Sequence, residues 1–171
     1  MVVSATVGPS ISFSISDNTI GFGALSFASA RYATGDTTGN GSETEAHQLA
    51  ASTNATSGYV IYMLGNTLTS GANSITRIAG GSGSAPSSAG TEQFGVRFEE
   101  SGAGTGTVTS PYGTANQFAF ESDGTTQDQI ASASGATDTS TYSARYIGNI
   151  DINTEAGAYS TTLTYTATAT F

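Results

Sequence analysis

The sequence predicts an all-β fold: an antiparallel Greek-key sandwich, immunoglobulin-like or jelly-roll-like, of about eight to ten strands with essentially no helix. Three observations carry this. Apolar and polar residues alternate with period two over most of the apolar stretches. Turn-forming Gly, Asn, Asp and Ser recur roughly every 8–12 residues between them. Thr is abundant (28 residues) while Lys is absent, and no amphipathic run reaches three helical turns.

The elements follow in order. Val2–Val7 alternates ahead of Gly8-Pro9, a hinge-like dipeptide. It is either the first strand of its own sandwich or, as residues 1–8, an exchangeable strand. Ser10–Ser16 places Ile11, Phe13 and Ile15 on one face and serines on the other. Asp17-Asn18 turns into Thr19–Leu25, and Ser29–Thr34 is a further short strand. Gly35–Glu45 is a polar loop, followed by a strand at His47–Thr53. Tyr59–Leu64 is the most apolar run and reads as a strand buried on both faces. Ser74–Ile78 is short, and Ala79–Gly90 is a Gly/Ser/Pro loop. Glu92–Glu99 alternates through Phe94, Val96 and Phe98, and Ser101–Gly113 reads as a long hairpin or insertion. Gln117–Glu121, Gln127–Ala133 and Thr139–Ile150 continue the pattern. Tyr159–Phe171 is the longest strand expected, with a Thr ladder on one face. The expected core comprises Ile11, Phe13, Ile15, Phe22, Tyr59, Ile61, Met63, Phe94, Val96, Phe98, Phe118, Tyr142, Tyr146, Leu163 and Tyr165. No unit recurs at repeat-protein spacing, so residues 1–171 are expected to form a single domain.

Composition narrows the function. The formal net charge is −9 and the only basic side chains besides His47 are Arg31, Arg77, Arg97 and Arg145. Four scattered Arg cannot form the basic patch that nucleic acid or an anionic membrane surface requires. The absence of Cys and Lys removes disulfides, thiol chemistry, Schiff bases and the P-loop lysine. No stretch approaches the ~20 apolar residues of a membrane helix. No basic-then-apolar leader opens the sequence, so the expectation is either a cytoplasmic chain or a mature exported one whose signal was removed.

No catalytic constellation can be assembled from the residue types. His47 is the only His, and no Gly-x-Ser-x-Gly elbow precedes a helix. Glu99 and Glu100 are adjacent, so on a strand they point to opposite faces. The expectation is therefore a protein that is not an enzyme. Calcium is a possible cofactor, since Glu121, Asp123 and Asp128 offer hard oxygens around the Asp123-Gly124 turn. Asp36, Asn40, Glu43 and Glu45 form a similar set. Tyr112, in a Ser-Pro-Tyr-Gly loop, is the candidate exposed aromatic for stacking on a sugar.

Several phrases carry a resemblance. Ile11-Ser-Phe-Ser-Ile15, Gly21-Phe-Gly23 and Ala156-Gly-Ala-Tyr-Ser-Thr-Thr-Leu-Thr-Tyr165 resemble the opening and closing patterns of exported bacterial surface β-sandwich domains. Tyr59-Val-Ile61 and Leu163-Thr-Tyr165 stand where W-x-L surface domains carry their two motifs, though neither holds a Trp. The chain also resembles β-sandwich subunits of biofilm fibres and pili. That resemblance implies strand donation, with Val2, Val3, Ala5 and Val7 as the donated side chains. The expected function is a non-enzymatic cell-surface structural protein, a fibre or pilus subunit that self-assembles through sheet edges. The alternative is an extracellular carbohydrate-binding or adhesin module.

Overall fold

The computed structural model describes residues 1–78 and 83–171, so the first four residues of the 79–90 loop lie outside the described residues. Ten strands are described: β1 (Ile11–Ile15), β2 (His47–Thr53), β3 (Tyr59–Gly65), β4 (Thr69–Ser70), β5 (Asn73–Ser74), β6 (Gln93–Gly102), β7 (Thr107–Val108), β8 (Asp128–Ala133), β9 (Thr137–Asn149) and β10 (Leu163–Ala169). Among the described residues there is no helix. Two four-stranded sheets pack face to face, ordered β1-β2-β9-β6 and β10-β3-β8-β7, and β4-β5 forms a small separate ribbon. Every strand pairing is antiparallel. The all-β sandwich expected from the alternation is the fold observed.

The alternation explains which face of each strand is buried. In β2 and β3 every second residue is buried, with Leu49 and Ala51 facing Ile61 and Met63 in the core. The outward side chains of β3 (Val60, Tyr62 and Leu64) are only half-buried, so this strand is not covered on both faces as its apolar run suggested. β6 and β9 form the longest pairing, in register from Gln93–Asn149 to Gly102–Ser140. The sheets are joined by polar contacts as well as apolar ones: the hydroxyls of Tyr59 and Tyr142 share a buried hydrogen bond of 2.7 Å. On the solvent side, Arg97 and Arg145 are directly opposite across β6 and β9. Two like charges there would repel, and Glu43 and Glu99 hold them, with Glu99 at 3.1 Å from Arg145. Glu43 thereby ties the 35–46 loop to the sheet.

Several expectations are corrected. Thr19–Leu25 and Ser29–Thr34 are not strands; residues 17–45 form a convoluted loop stitched by single bridges such as Gly21–Thr34, Phe22–Thr38 and Tyr32–Asn40. The cause is backbone curvature. Thr37 has φ 65° and Gly39 φ 68°, and a Cβ at Gly39 would lie 2.0 Å from the Phe22 carbonyl oxygen. Asp36 fixes the turn by accepting bonds from Thr34 Oγ1 and from Thr38 N–H and Oγ1. Gln117–Glu121 is likewise a bridging segment, not a strand, with Phe118 and Ala119 pairing to Ala85 and Val96. The longest strand is β9, and β10 is confined to seven residues. Ile11 and Ile15, expected in the core, are exposed at 38% and 42%. Phe13, Phe22, Leu163 and Tyr165 are only partly buried. In their place the core recruits Leu49, Ile75, Tyr112, Phe120 and Ile130.

Candidate functional site

The partly exposed members of the expected core lie together at one side of the sandwich. β1 and β10 are the terminal strands of their sheets on that side. On the opposite side the β6 edge is covered, and a smaller cavity of about 480 Å³ lies between β6 and β7, lined by Phe98, Glu100, Thr107 and Val108. The outer edge of β6 is occupied by Phe94 N–H to Thr76 (2.9 Å), Val96 N–H to Ala119 (2.9 Å) and Phe98 N–H to Tyr112 (2.9 Å). Rings seal that edge, with Phe94 on Phe120 at 4.8 Å and Phe98 on Tyr112 at 6.1 Å between centroids. Among the described residues no further segment hydrogen-bonds to the outer edge of β1 or β10, and the two strands approach within 8 Å of each other, Cα to Cα. A groove of about 1100 Å³ opens at the end of the sandwich where β1 finishes and β10 begins, and it reaches inward to Phe94 of β6.

Its walls are built by alternation: Phe13 and Ile15 from β1, and Leu163 and Tyr165 from β10. The 17–25 and 154–162 segments supply most of the remaining lining, Asp17 and Glu155 among them. The wall residues would be ordinary core positions if a further segment covered them. As it stands, the inward side chains of two edge strands are open to water, at a cost of roughly 25 cal/mol per Å² of apolar surface.

His47, Tyr146 and Tyr165 line the groove floor. His47 Nε2 and the Tyr146 hydroxyl share a 2.8 Å hydrogen bond, and the hydroxyls of Tyr146 and Tyr165 are bonded in turn. Both phenols are pushed above the usual tyrosine range by burial, so they stay neutral. Burial also holds His47 below the usual histidine range, against the opposing pull of the Gln48 backbone and the Asp17 and Glu45 charges. The chain's lone His therefore hydrogen-bonds to a phenol and serves as a buried, neutral structural group. Its sign on stability follows. The unfolded chain takes up the proton first, so His47 contributes fully above about pH 6.5 and loses its contribution as pH falls toward the lower folded value. Melting temperatures of wild type and His47→Gln should diverge in slope below about pH 6.5, with the steeper fall in wild type.

The second component lies outside the body. Residues 1–10 pair with no strand, and Val2, Val3 and Val7 are exposed at 94%, 83% and 85%. Ala5, on the same face as Val3 and Val7 by alternation, is exposed too. The root of this segment is fixed. Asn54 brackets Pro9: its Nδ2 donates to the Gly8 carbonyl at 2.8 Å and its Oδ1 accepts from Ser10 N–H at 2.8 Å. The Ser10 carbonyl accepts from Thr53 Oγ1 (2.8 Å) and Asn54 N–H (3.2 Å). Asn54 opens the β2–β3 turn, which Gly58 completes at φ 74°; a Cβ there would meet the Ala133 carbonyl at 1.8 Å.

The other expected site residues fall elsewhere. Tyr112 is not a surface aromatic. It is 1% exposed, with its hydroxyl donating to Asp128 at 2.9 Å and accepting from Glu121 N–H at 3.1 Å. A phenol beside polar partners at the closed edge can be buried wholly, and the local Ser-Pro-Tyr-Gly turn does not reveal those partners. The oxygens around Asp123 serve the loop itself. Asp123 Oδ1 accepts from Thr125 N–H, Thr125 Oγ1 and Thr126 N–H, which brings its carboxyl down to about 2. Asp128 is shifted up by burial, opposed by the Tyr112 hydrogen bond and the Arg77 charge. The carbonyls of Glu121 and Ser122 accept from the Arg77 guanidinium, so a cation already sits at this loop. Among the described residues no three His, Cys, Asp or Glu side chains converge as a metal site. The Thr ladder of β10 lies beside Leu64, Tyr62 and Val60 of β3, not beside a second Thr row. No helix of the described residues is long and apolar enough to cross a membrane.

No family model, curated protein or solved structure matches this chain.

Proposed function

We propose that this chain is a non-enzymatic structural subunit of an extracellular or cell-surface assembly, built by strand donation between copies. One observation carries the reading: a sandwich closed by hydrogen-bonded segments at its β6 edge and open at β1 and β10, with a detached apolar segment at residues 2–7. An open apolar groove and an unpaired apolar segment are both costly in water, and joining them removes both costs. Sparse charge and the absence of Lys and Cys suit an inert, protease-resistant exterior. The competing reading, a carbohydrate-binding module, loses its chosen platform because Tyr112 is buried.

Light scattering of the full chain over a concentration series tests the proposal, with electron microscopy of the concentrated sample. Growth of linear oligomers with concentration is the expected result. With a charge of −9 on each copy, assembly should strengthen as salt rises. A monomer at every concentration and salt would overturn the proposal, and a glycan array would then test the carbohydrate reading.

A further inference from the structure

We infer that the groove is a binding site for a small neutral amphiphile, an apolar body carrying one hydrogen-bond-accepting oxygen, such as a long-chain alcohol or ketone. The inference does not rest on the assembly reading, whose partners are main-chain edges. This site is made of side chains inside the groove.

Space and lining come first. A volume of about 1100 Å³ stands at the upper end of small-molecule sites, roughly 300–1,000 Å³. The lining is graded from wet to dry. Ile15 is exposed and Phe13 and Leu163 are partly buried, whereas Leu68 and Phe94 deeper in are buried. An apolar body therefore gains more burial the further it enters.

The floor supplies a polar anchor. His47, Tyr146 and Tyr165 form two hydrogen bonds among three groups, His47 Nε2 with the Tyr146 hydroxyl and that hydroxyl with Tyr165. As neutral groups each carries one N–H or O–H, so three donors serve two bonds. One donor is left over in every arrangement. It lies on His47 Nδ1 if the bonds run from Tyr165 toward His47, on Tyr165 if they run the other way, and on Tyr146 if that hydroxyl accepts both. His47 Nδ1 is buried and has no hydrogen-bond partner among the described residues. The Gln48 backbone acts on the charge of the ring but makes no hydrogen bond with it. Tyr165 is the one partly buried member of the three, so the arrangement with the free O–H on Tyr165 is the one that a ligand oxygen selects. A donor left without an acceptor in such a place is costly, and an oxygen reaching it from the groove removes that cost.

Charge fixes the rest of the chemistry. No Arg lines the groove, and Asp17 and Glu155 are both acidic. A carboxylate or phosphate head group would find no cation there and would meet two like charges. A neutral oxygen meets the free donor without that penalty.

Titration calorimetry of the full chain with 1-octanol, 2-octanone, 1-chlorooctane and octanoate tests the inference, because these probes share an alkyl body and differ in the head group. The expected result is saturable binding of 1-octanol and 2-octanone with similar affinity, and binding of 1-chlorooctane and octanoate weaker by at least roughly tenfold. Two variants place the site. Ile15 and Ile11 are both exposed on one face of β1, so an Asp at either leaves the core intact, but only Ile15 lines the groove. Ile15→Asp should weaken 1-octanol by at least roughly tenfold and Ile11→Asp should leave it unchanged. No saturable binding of 1-octanol, or an equal effect of the two variants, overturns the site. Octanoate or 1-chlorooctane bound as tightly as 1-octanol overturns the neutral, oxygen-anchored class and with it the inference.

Discussion

Removing residues 1–7 should leave a chain that folds as stably as the full one and no longer assembles. The first half follows from contacts. Those residues pair with no strand, and Gly8, whose carbonyl Asn54 holds, is retained. Loss of an exposed segment changes stability by within ~0.5 kcal/mol. The second half follows from burial. Each valine moved from water into an apolar groove contributes about 1.5–3 kcal/mol, so losing Val3 and Val7 costs about 3–6 kcal/mol of association. Association should therefore weaken by at least ~100-fold, since each ~1.4 kcal/mol is a factor of ten. Unfolding midpoints in urea and sedimentation velocity, run on both chains, check the two halves separately. Truncated chains that still assemble would remove the donor role of this segment.

Phe98→Ala should have the opposite profile, with a large loss of stability. Phe98 is 1% exposed and packs edge-on against Tyr112 at 6.1 Å and Tyr165 at 6.4 Å between centroids. It joins the closed edge to the β10 side of the core, and its N–H bonds the Tyr112 carbonyl. Truncating a phenylalanine in such a site costs about 3–5 kcal/mol. Domains of this size are held by only about 5–15 kcal/mol in total, so the variant should be marginal. Phe13→Ala, at a partly buried position on the groove wall, should cost less than Phe98→Ala on the monomer. Denaturant unfolding of the two variants side by side measures the contrast. Equal losses would mean that the β1 wall is as fully packed as the β6 edge.

Much of the fold was legible in the sequence because one mechanism dominates it. Period-two alternation located β1, β2, β3, β6, β8, β9 and β10 to within a few residues. It failed where side-chain and glycine geometry replace the ladder. Residues 17–45 are shaped by Asp36 capping and by Thr37 and Gly39 at positive φ, and none of that has a period. Strand order was also hidden, because β2 and β3 are neighbours in sequence but lie in different sheets, as do β8 and β9.

The candidate site was half legible. Val2–Val7 stood out as an alternating segment ahead of a Gly-Pro hinge. The groove could not be seen, because Ile11, Phe13 and Ile15 carry the pattern of a buried strand whether or not anything lies opposite them. Alternation says which face is apolar and is silent on what covers it. The single signal available was juxtaposition, since an alternating strand follows directly after a second alternating segment that the hinge sets apart. Tyr112 misled for the converse reason: its burial depends on Asp128, Glu121 and Phe98, which no local pattern links to it.

Hydrogen exchange on the assembled and the dilute full chain tests strand donation most directly, because it reads main-chain bonding without any substitution. In the dilute chain the amides of residues 2–7 should exchange at unprotected rates. On assembly those amides and the amides on the free edge of β1 or β10 should become protected together, while the β6 edge is unchanged. Assembly with residues 2–7 still exchanging freely would contradict strand donation.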